Sequence, residues 1–319
     1  MIRRLQYKIE EQHHNKSIGL FLKEKNYSRG VLIELKKTKM GIRKNGVWAG
    51  VNEILKTGDV LDICLIEETS SENILPKASE LNILYEDEDI LVVNKSYDTP
   101  IHPSINHYDN TLANYVAYYY HQQNNPYIFR CINRLDRDTT GITIIAKNLL
   151  SASILSKSMH EHGIGRTYIA FVEGVTKEKG TIDLPISREE GTIIKRKVDE
   201  KAGKRAITHY QRLEVIPIKG KEVSIVALRL ETGRTHQIRV HMTSIGHPLL
   251  GDFLYNKECH ILTRQALHAA ECTFYHPITE TYQRITAPLP KDMAMLIPYP
   301  LEKNDNSCHL FNKLQNLEW

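Results

Sequence analysis

The stretch Ile132-Asn133-Arg134-Leu135-Asp136-Arg137-Asp138-Thr139-Thr140-Gly141-Ile142-Thr143-Ile144-Ile145-Ala146-Lys147 decides how this chain is read. Four charged residues crowd into positions 134–138, Thr-Thr-Gly follows, and 142–146 has the β-branched run of a buried strand. A charged loop fastened to a sheet is how proteins hold a functional side chain, although the residues alone favour a polar turn with solvated charges. Outward from it, 84–95 reads as strand, acidic turn and buried strand, and 168–172, 206–213 and 223–230 carry strand patterns. Helical spacing is found at 111–120, 151–160 and 235–245. Strands dominate and helices do not alternate strictly with them, which predicts an α+β fold with a mixed, mainly antiparallel sheet and argues against a doubly wound parallel one.

The N-terminal part has a different texture. Ile18, Leu20, Phe21 and Leu22 give one short amphipathic segment, Tyr27-Ser28-Arg29-Gly30 breaks it, and 31–35 gives a second, ending in Lys36-Lys37-Thr38-Lys39. Strands joined by Asn45-Gly46 and Gly58-Asp59 turns are expected to follow. The layout resembles the small S4-type RNA-binding module, a basic helix pair with a hairpin, which makes Arg29, Lys36, Lys37 and Lys39 candidate RNA contacts. Residues 67–79 are polar and aperiodic. The expected division is therefore 1–70 as an S4-like domain, 71–80 as linker, 81–290 as catalytic domain and 291–319 as an appendage.

At 319 residues, 41% hydrophobic and 25% charged, the composition is that of a globular protein with room for two cores. No apolar run reaches the ~18 residues of a membrane helix, and the start lacks a signal peptide's apolar stretch. A cytoplasmic, monomeric protein is the expectation. The five cysteines are widely spaced and form no C-x-x-C pair, so reduced thiols are expected and no metal site. Net charge is only +4, but residues 1–66 hold 13 Lys/Arg and 7 Asp/Glu, a local +6 suited to a phosphate backbone.

The stretch around Asp136 is similar to the R-L-D-x-x-T-[ST]-G motif of the RluA family of RNA pseudouridine synthases. The family's other motifs follow in order: Arg166-Thr-Tyr168-Ile-Ala170-Phe-Val172-Glu-Gly174, Gly203-Lys204-Arg-Ala206-Ile-Thr208, Gly233 to His241, Gly246-His-Pro, Gly251-Asp252, Leu254-Tyr255 and Leu267-His268-Ala269. The resemblance runs from about Asn82 to Pro290. Asn133 stands where many members have His, and Thr140 where Ser is commoner.

The resemblance implies isomerisation of uridine in structured RNA without a cofactor. The N1–C1′ bond breaks, uracil turns in the pocket, C5 joins C1′, and C5 loses its proton. Asp136 is then the catalytic carboxylate, attacking the sugar or removing the C2′ proton, and the sequence leaves both routes open. Water must be excluded, because hydrolysis would leave an abasic site. Tyr168 would lie against the uracil and could share in deprotonating C5. Arg239 would pair with Asp136 and hold it by charge-assisted hydrogen bonds, and Arg134 would fill the stack left by the extruded uridine.

Thr235 suits the N-cap of the helix carrying Arg239, Ile238, Met242 and Ile245 form its apolar stripe, and Arg239 is expected at the edge of that stripe. His236, His241 and His247 are spaced wrongly for a metal and are expected as structural residues or RNA contacts. The S4-like module favours ribosomal RNA of the large subunit. Transfer RNA is the alternative substrate. A non-catalytic RNA-binding or assembly protein is disfavoured by Asp136, Tyr168 and Arg239 together, and a hydrolase by the lack of a second carboxylate, since Asp138 sits at a variable motif position.

Overall fold

The structure is a computed structural model that describes residues 1–298, 306–317 and 319. The N-terminal unit starts with a strand that the sequence reading did not foresee, β1 (Ile2–Lys8), followed by helices α1 (Ile18–Glu24) and α2 (Arg29–Lys37). Strands β2 (Ile42–Lys44), β3 (Val47–Trp48) and β4 (Val60–Ile66) complete an antiparallel sheet of order β1-β4-β2-β3. Both helices begin on serine caps: Leu20 N–H donates to Ser17 Oγ at 3.2 Å and Val31 N–H to Ser28 Oγ at 3.4 Å. Asn45 and Gly46 have φ of 52° and 82°, the positive pair that the tight Asn-Gly hairpin requires.

The larger sheet has nine strands in the order β5-β6-β7-β14-β8-β13-β12-β9, with β15 beside β14. In chain order these are β5 (Ile83–Glu86), β6 (Ile90–Lys95), β7 (Thr140–Ala146), β8 (Gly165–Glu173), β9 (Lys179–Asp183), β12 (Ile207–Ile218), β13 (Lys221–Leu230), β14 (Leu267–Tyr275) and β15 (Tyr282–Thr286). A separate hairpin is formed by β10 (Ile186–Arg188) and β11 (Arg196–Val198). Among the described strand pairs, β7 with β14 is parallel and the rest are antiparallel. Helices α3 (Leu112–His121), α4 (Leu149–His160) and α5 (Gln237–Ser244) pack around the sheet, and α6 (Lys291–Ala294) and α7 (Asn306–Gln315) close the chain. The expected α+β class, with a mixed, mainly antiparallel sheet, is what forms.

Alternation along β8 sorts the core. Ile169 and Phe171 face one side, with Met293, Leu310 and Leu314 packed in the same cluster, while Tyr168, Ala170 and Val172 face the other with Leu135, Ile238 and Met242. Tyr168 therefore shares a face with the charged loop and α5. The described part of 291–319 is not a loose appendage: Leu310 and Leu314, one helical turn apart on α7, are buried against the sheet. Pro300 and the polar run at 302–305 lie outside the described residues.

Helix α4 joins the two units. Leu150, fully buried, belongs to the core of the N-terminal unit, and Lys157 donates to Asn26 at 2.9 Å. At the strand edge, the Arg3 guanidinium forks onto Asp89 at 2.9 and 2.7 Å.

Candidate active site

The charged loop is held backbone atom by backbone atom. Thr139 N–H donates to the Asp136 carbonyl at 3.1 Å, Lys95 Nζ to that of Arg137 at 2.8 Å, and Arg264 to that of Asp138 at 3.2 Å. Three successive carbonyls thus have partners, and buried Leu135 anchors the loop in the core. Lys95 is 2% exposed and also donates to the carbonyls of Ser96 and Thr99; burial pushes its ammonium down to about 7, against the pull of Asp138 and Asp136.

The loop then runs into β7 at Gly141, whose φ is +113°. A Cβ there would lie 2.3 Å from the Ala269 carbonyl oxygen, so the close approach of β7 to β14 requires glycine. Asn133, in the position where the resemblance leads one to expect His, donates to the Ile142 carbonyl at 2.9 Å and accepts from Ile144 N–H at 2.8 Å, which pins the loop to its own strand. Thr140 donates its hydroxyl to His268 Nδ1 at 2.9 Å, since His268 spends its own proton on the Ala287 carbonyl.

These constraints place Asp136 in a cavity of about 860 Å³, a volume typical of ligand sites, whose lining also includes Arg134, Tyr168, His236 and Arg239. Three residues singled out in the sequence for chemistry, Asp136, Tyr168 and Arg239, thus meet around one cavity, with Arg134 exposed at its edge.

Arg239 differs from its expected edge position: it is 2% exposed, and α5 is buried from Gln237 to Met242. Its guanidinium forks onto fully buried Asp252, with both N···O distances 2.7 Å, and reaches Asp136 Oδ2 with Nη1 at 3.3 Å. Burial works against this charge, but the Asp252 hydrogen bonds and charge outweigh it and push the guanidinium above its ordinary value. Asp252 is the partner that sequence reading missed, although Gly251-Asp252 is itself one of the family's motifs. The expected Thr235 cap is also corrected. Thr235 is exposed and His236 occupies the N-cap position with no side-chain cap bond, in a left-handed conformation (φ 58°) that costs a non-glycine residue of order 1–3 kcal/mol.

Tyr168 is 4% exposed, and burial pushes its phenol above the usual value, with Arg166 partly opposing. Its ring packs with Leu135, Ile238 and Leu267 at the wall of the cavity. His241 bonds Thr208 and the Leu184 carbonyl, and His247 bonds the Glu173 carbonyl, so both are structural. His236 instead sits with Nε2 3.9 Å from Asp136 Oδ2.

Arg29, Lys36, Lys37 and Lys39 are exposed on or beside α2, and Lys37 is paired with Glu34. Elsewhere Asp87, Asp89 and His276 bring ligand atoms within 4.8 Å of one another, but Asp89 is held by Arg3, Asn148 and Ser151, and Asp87 by Tyr85 and His276; a cation would have to displace a guanidinium.

Comparison with known proteins agrees with this geometry. The RNA pseudouridylate synthase family matches residues 89–244. An uncharacterized RNA pseudouridine synthase of Bacillus subtilis, YjbO, is 40% identical over 275 residues, covering 86% of this chain and 95% of its own. Ribosomal large subunit pseudouridine synthase D of Escherichia coli K12 is 39% identical over 236 residues, covering 70% of this chain and 71% of its own. The solved structure of human RNA Pseudouridylate Synthase Domain Containing 1 superposes with a TM-score of 0.59 at 28% identity, covering 76% of this chain and 98% of that one. The chain belongs to the RluA family of RNA pseudouridine synthases and is an isomerase that acts on RNA.

Proposed function

We propose that this enzyme converts specific uridines of large-subunit ribosomal RNA to pseudouridine in the cytoplasm, as a monomer, with Asp136 as the catalytic carboxylate. The observation that carries the site assignment is the buried Arg239, locked to Asp252 and reaching Asp136 Oδ2 at the cavity wall. A carboxylate held this way has lost most of its rotational freedom before substrate arrives, which is the entropic part of catalysis. It can then attack C1′ or take the C2′ proton. Tyr168, protonated and packed among Leu135, Ile238 and Leu267, offers the uracil a dry flank that keeps water from the reacting sugar. Arg134, exposed and with no ion pair among the described residues, is free to enter the base stack that the extruded uridine vacates.

For the RNA, the support is the name of the Escherichia coli relative, a ribosomal large subunit synthase, and the basic helix end of the N-terminal unit, which we read as an S4-like RNA-binding domain spanning 1–70. Arg29, Lys36, Lys37 and Lys39 supply its phosphate contacts. Mapping pseudouridine across the host's ribosomal and transfer RNA, with and without this gene, tests the proposal. Loss at one or a few large-subunit positions is the expected result; loss confined to transfer RNA would overturn the substrate assignment.

A further inference from the structure

The proton on His236 can be placed from its neighbours. Tyr255 Oη accepts from the backbone N–H of Arg196 at 2.9 Å and lies 3.0 Å from His236 Nδ1. Burial raises the Tyr255 phenol to about 12, so Tyr255 carries its proton, and the remaining partner for that proton is Nδ1. Burial also lowers the His236 imidazole in spite of nearby Asp136, which favours the neutral ring. A neutral imidazole that accepts at Nδ1 must carry its hydrogen on Nε2. That atom lies 3.9 Å from Asp136 Oδ2, the same oxygen that Arg239 contacts, while Oδ1 has no hydrogen-bond partner among the described residues. Arg239 thus donates to Oδ2, the His236 Nε2–H sits just beyond hydrogen-bond distance of the same oxygen, and a small turn of the carboxylate would close that gap. The left-handed backbone at His236 and the edge-on packing of its ring against Tyr255, with centroids 5.9 Å apart, fix the direction of the ring.

We infer that His236 is a positioning residue of the isomerisation: its Nε2–H, set by the relay from the Arg196 amide through Tyr255, steers Asp136 so that Oδ1 is the oxygen presented to the ribose. This rests on Asp136 as the catalytic carboxylate. It also ties the active site to the β10–β11 hairpin, because the Arg196 amide belongs to β11.

The test uses the full chain and, as probe, total RNA from cells lacking this gene, labelled with 5-tritiated uridine, in single turnovers at saturating enzyme. His236→Ala should release tritium about ten- to a hundredfold more slowly, since a misplacement of about 1 Å at the reacting group can cost a hundredfold, with RNA affinity unchanged. His236→Gln, which restores an N–H near the Nε2 position, should recover most of the rate. Tyr255→Phe removes the group that fixes the tautomer and should slow the step without altering affinity; it decides the matter if His236→Ala does not fold. A wild-type rate in His236→Ala or, failing that, in Tyr255→Phe overturns the inference, and so does a His236→Gln variant no faster than the alanine variant. Asp136→Asn in the same assay separates the two readings: tritium release by that variant would sink the catalytic assignment itself, whereas an inert Asp136→Asn beside a fully active His236→Ala would sink only the role of His236.

Discussion

At the scale of single residues, the site depends on charges that cannot be removed one at a time. Arg239 and Asp252 form a buried pair, and deleting the cation would strand a fully buried carboxylate. Arg239→Ala is expected to lower stability by about 3–5 kcal/mol, read as a shift of the urea midpoint, in addition to any loss of turnover; a midpoint within experimental error of wild type would mean that Asp252 finds solvent or another donor. Arg134 has the opposite character, exposed and without an ion pair among the described residues. Arg134→Ala should leave folding intact and slow single-turnover conversion of a uridine embedded in a stem more than that of one in a flexible strand, because only the first must be unstacked. Equal losses on both RNAs, restored at saturating enzyme, would reduce Arg134 to a phosphate ligand. That Asp136, Tyr168, Arg239 and Arg134 would share one cavity was legible through their motifs. Asp252, Lys95 and Tyr255 were not given roles, because what they do depends on neighbours brought from 13 to 103 residues away, as between Arg239 and its two carboxylates.

At the scale of elements, β7, β8, β12 and β13 were readable because alternation or β-branched runs mark half-buried and buried strands. The strand β1 escaped because its burial alternates only between exposed and half-buried, and its partner β4 lies some sixty residues on, with Ile2 opposite Ile66. The start of α5 was misread for a related reason: Thr235 is the better cap by residue type, but tertiary bonds of Gln237 to Ile207 and Thr208 set where the helix begins. The charged loop at 134–138 hangs on Lys95, whose ammonium burial lowers from 10.5 to about 7. Below pH 7 the lysine is charged in both folded and unfolded chains and its burial is a cost. Between about pH 7 and 10.5 the unfolded chain binds more protons than the folded one, so this group makes stability rise with pH. A series of urea midpoints from pH 6 to 9 should therefore climb more steeply for wild type than for Lys95→Met; parallel curves would show that Lys95 keeps an ordinary affinity for its proton.

At the scale of the whole molecule, the N-terminal unit and the nine-stranded sheet share helix α4, whose Leu150 end lies in the N-terminal core and whose Ser156, Met159 and His160 line the cavity that holds Asp136. Removing the N-terminal unit would expose that apolar face, so its contribution to RNA binding is better measured by charge alone. Replacing Arg29, Lys36, Lys37 and Lys39 by Gln should weaken RNA binding and flatten the slope of log K against log salt by roughly 0.7–0.9 for each phosphate no longer neutralised. An unchanged slope would show that this face does not meet the backbone. The central claim, that a uridine isomerase works through Asp136, is tested most directly by Asp136→Asn, which swaps one oxygen for an amide nitrogen. Tritium release from 5-tritiated uridine in the mapped RNA should fall below detection while the binding isotherm stays within about twofold of wild type, a change of about 0.4 kcal/mol. A variant that retains a tenth or more of wild-type turnover would contradict the account.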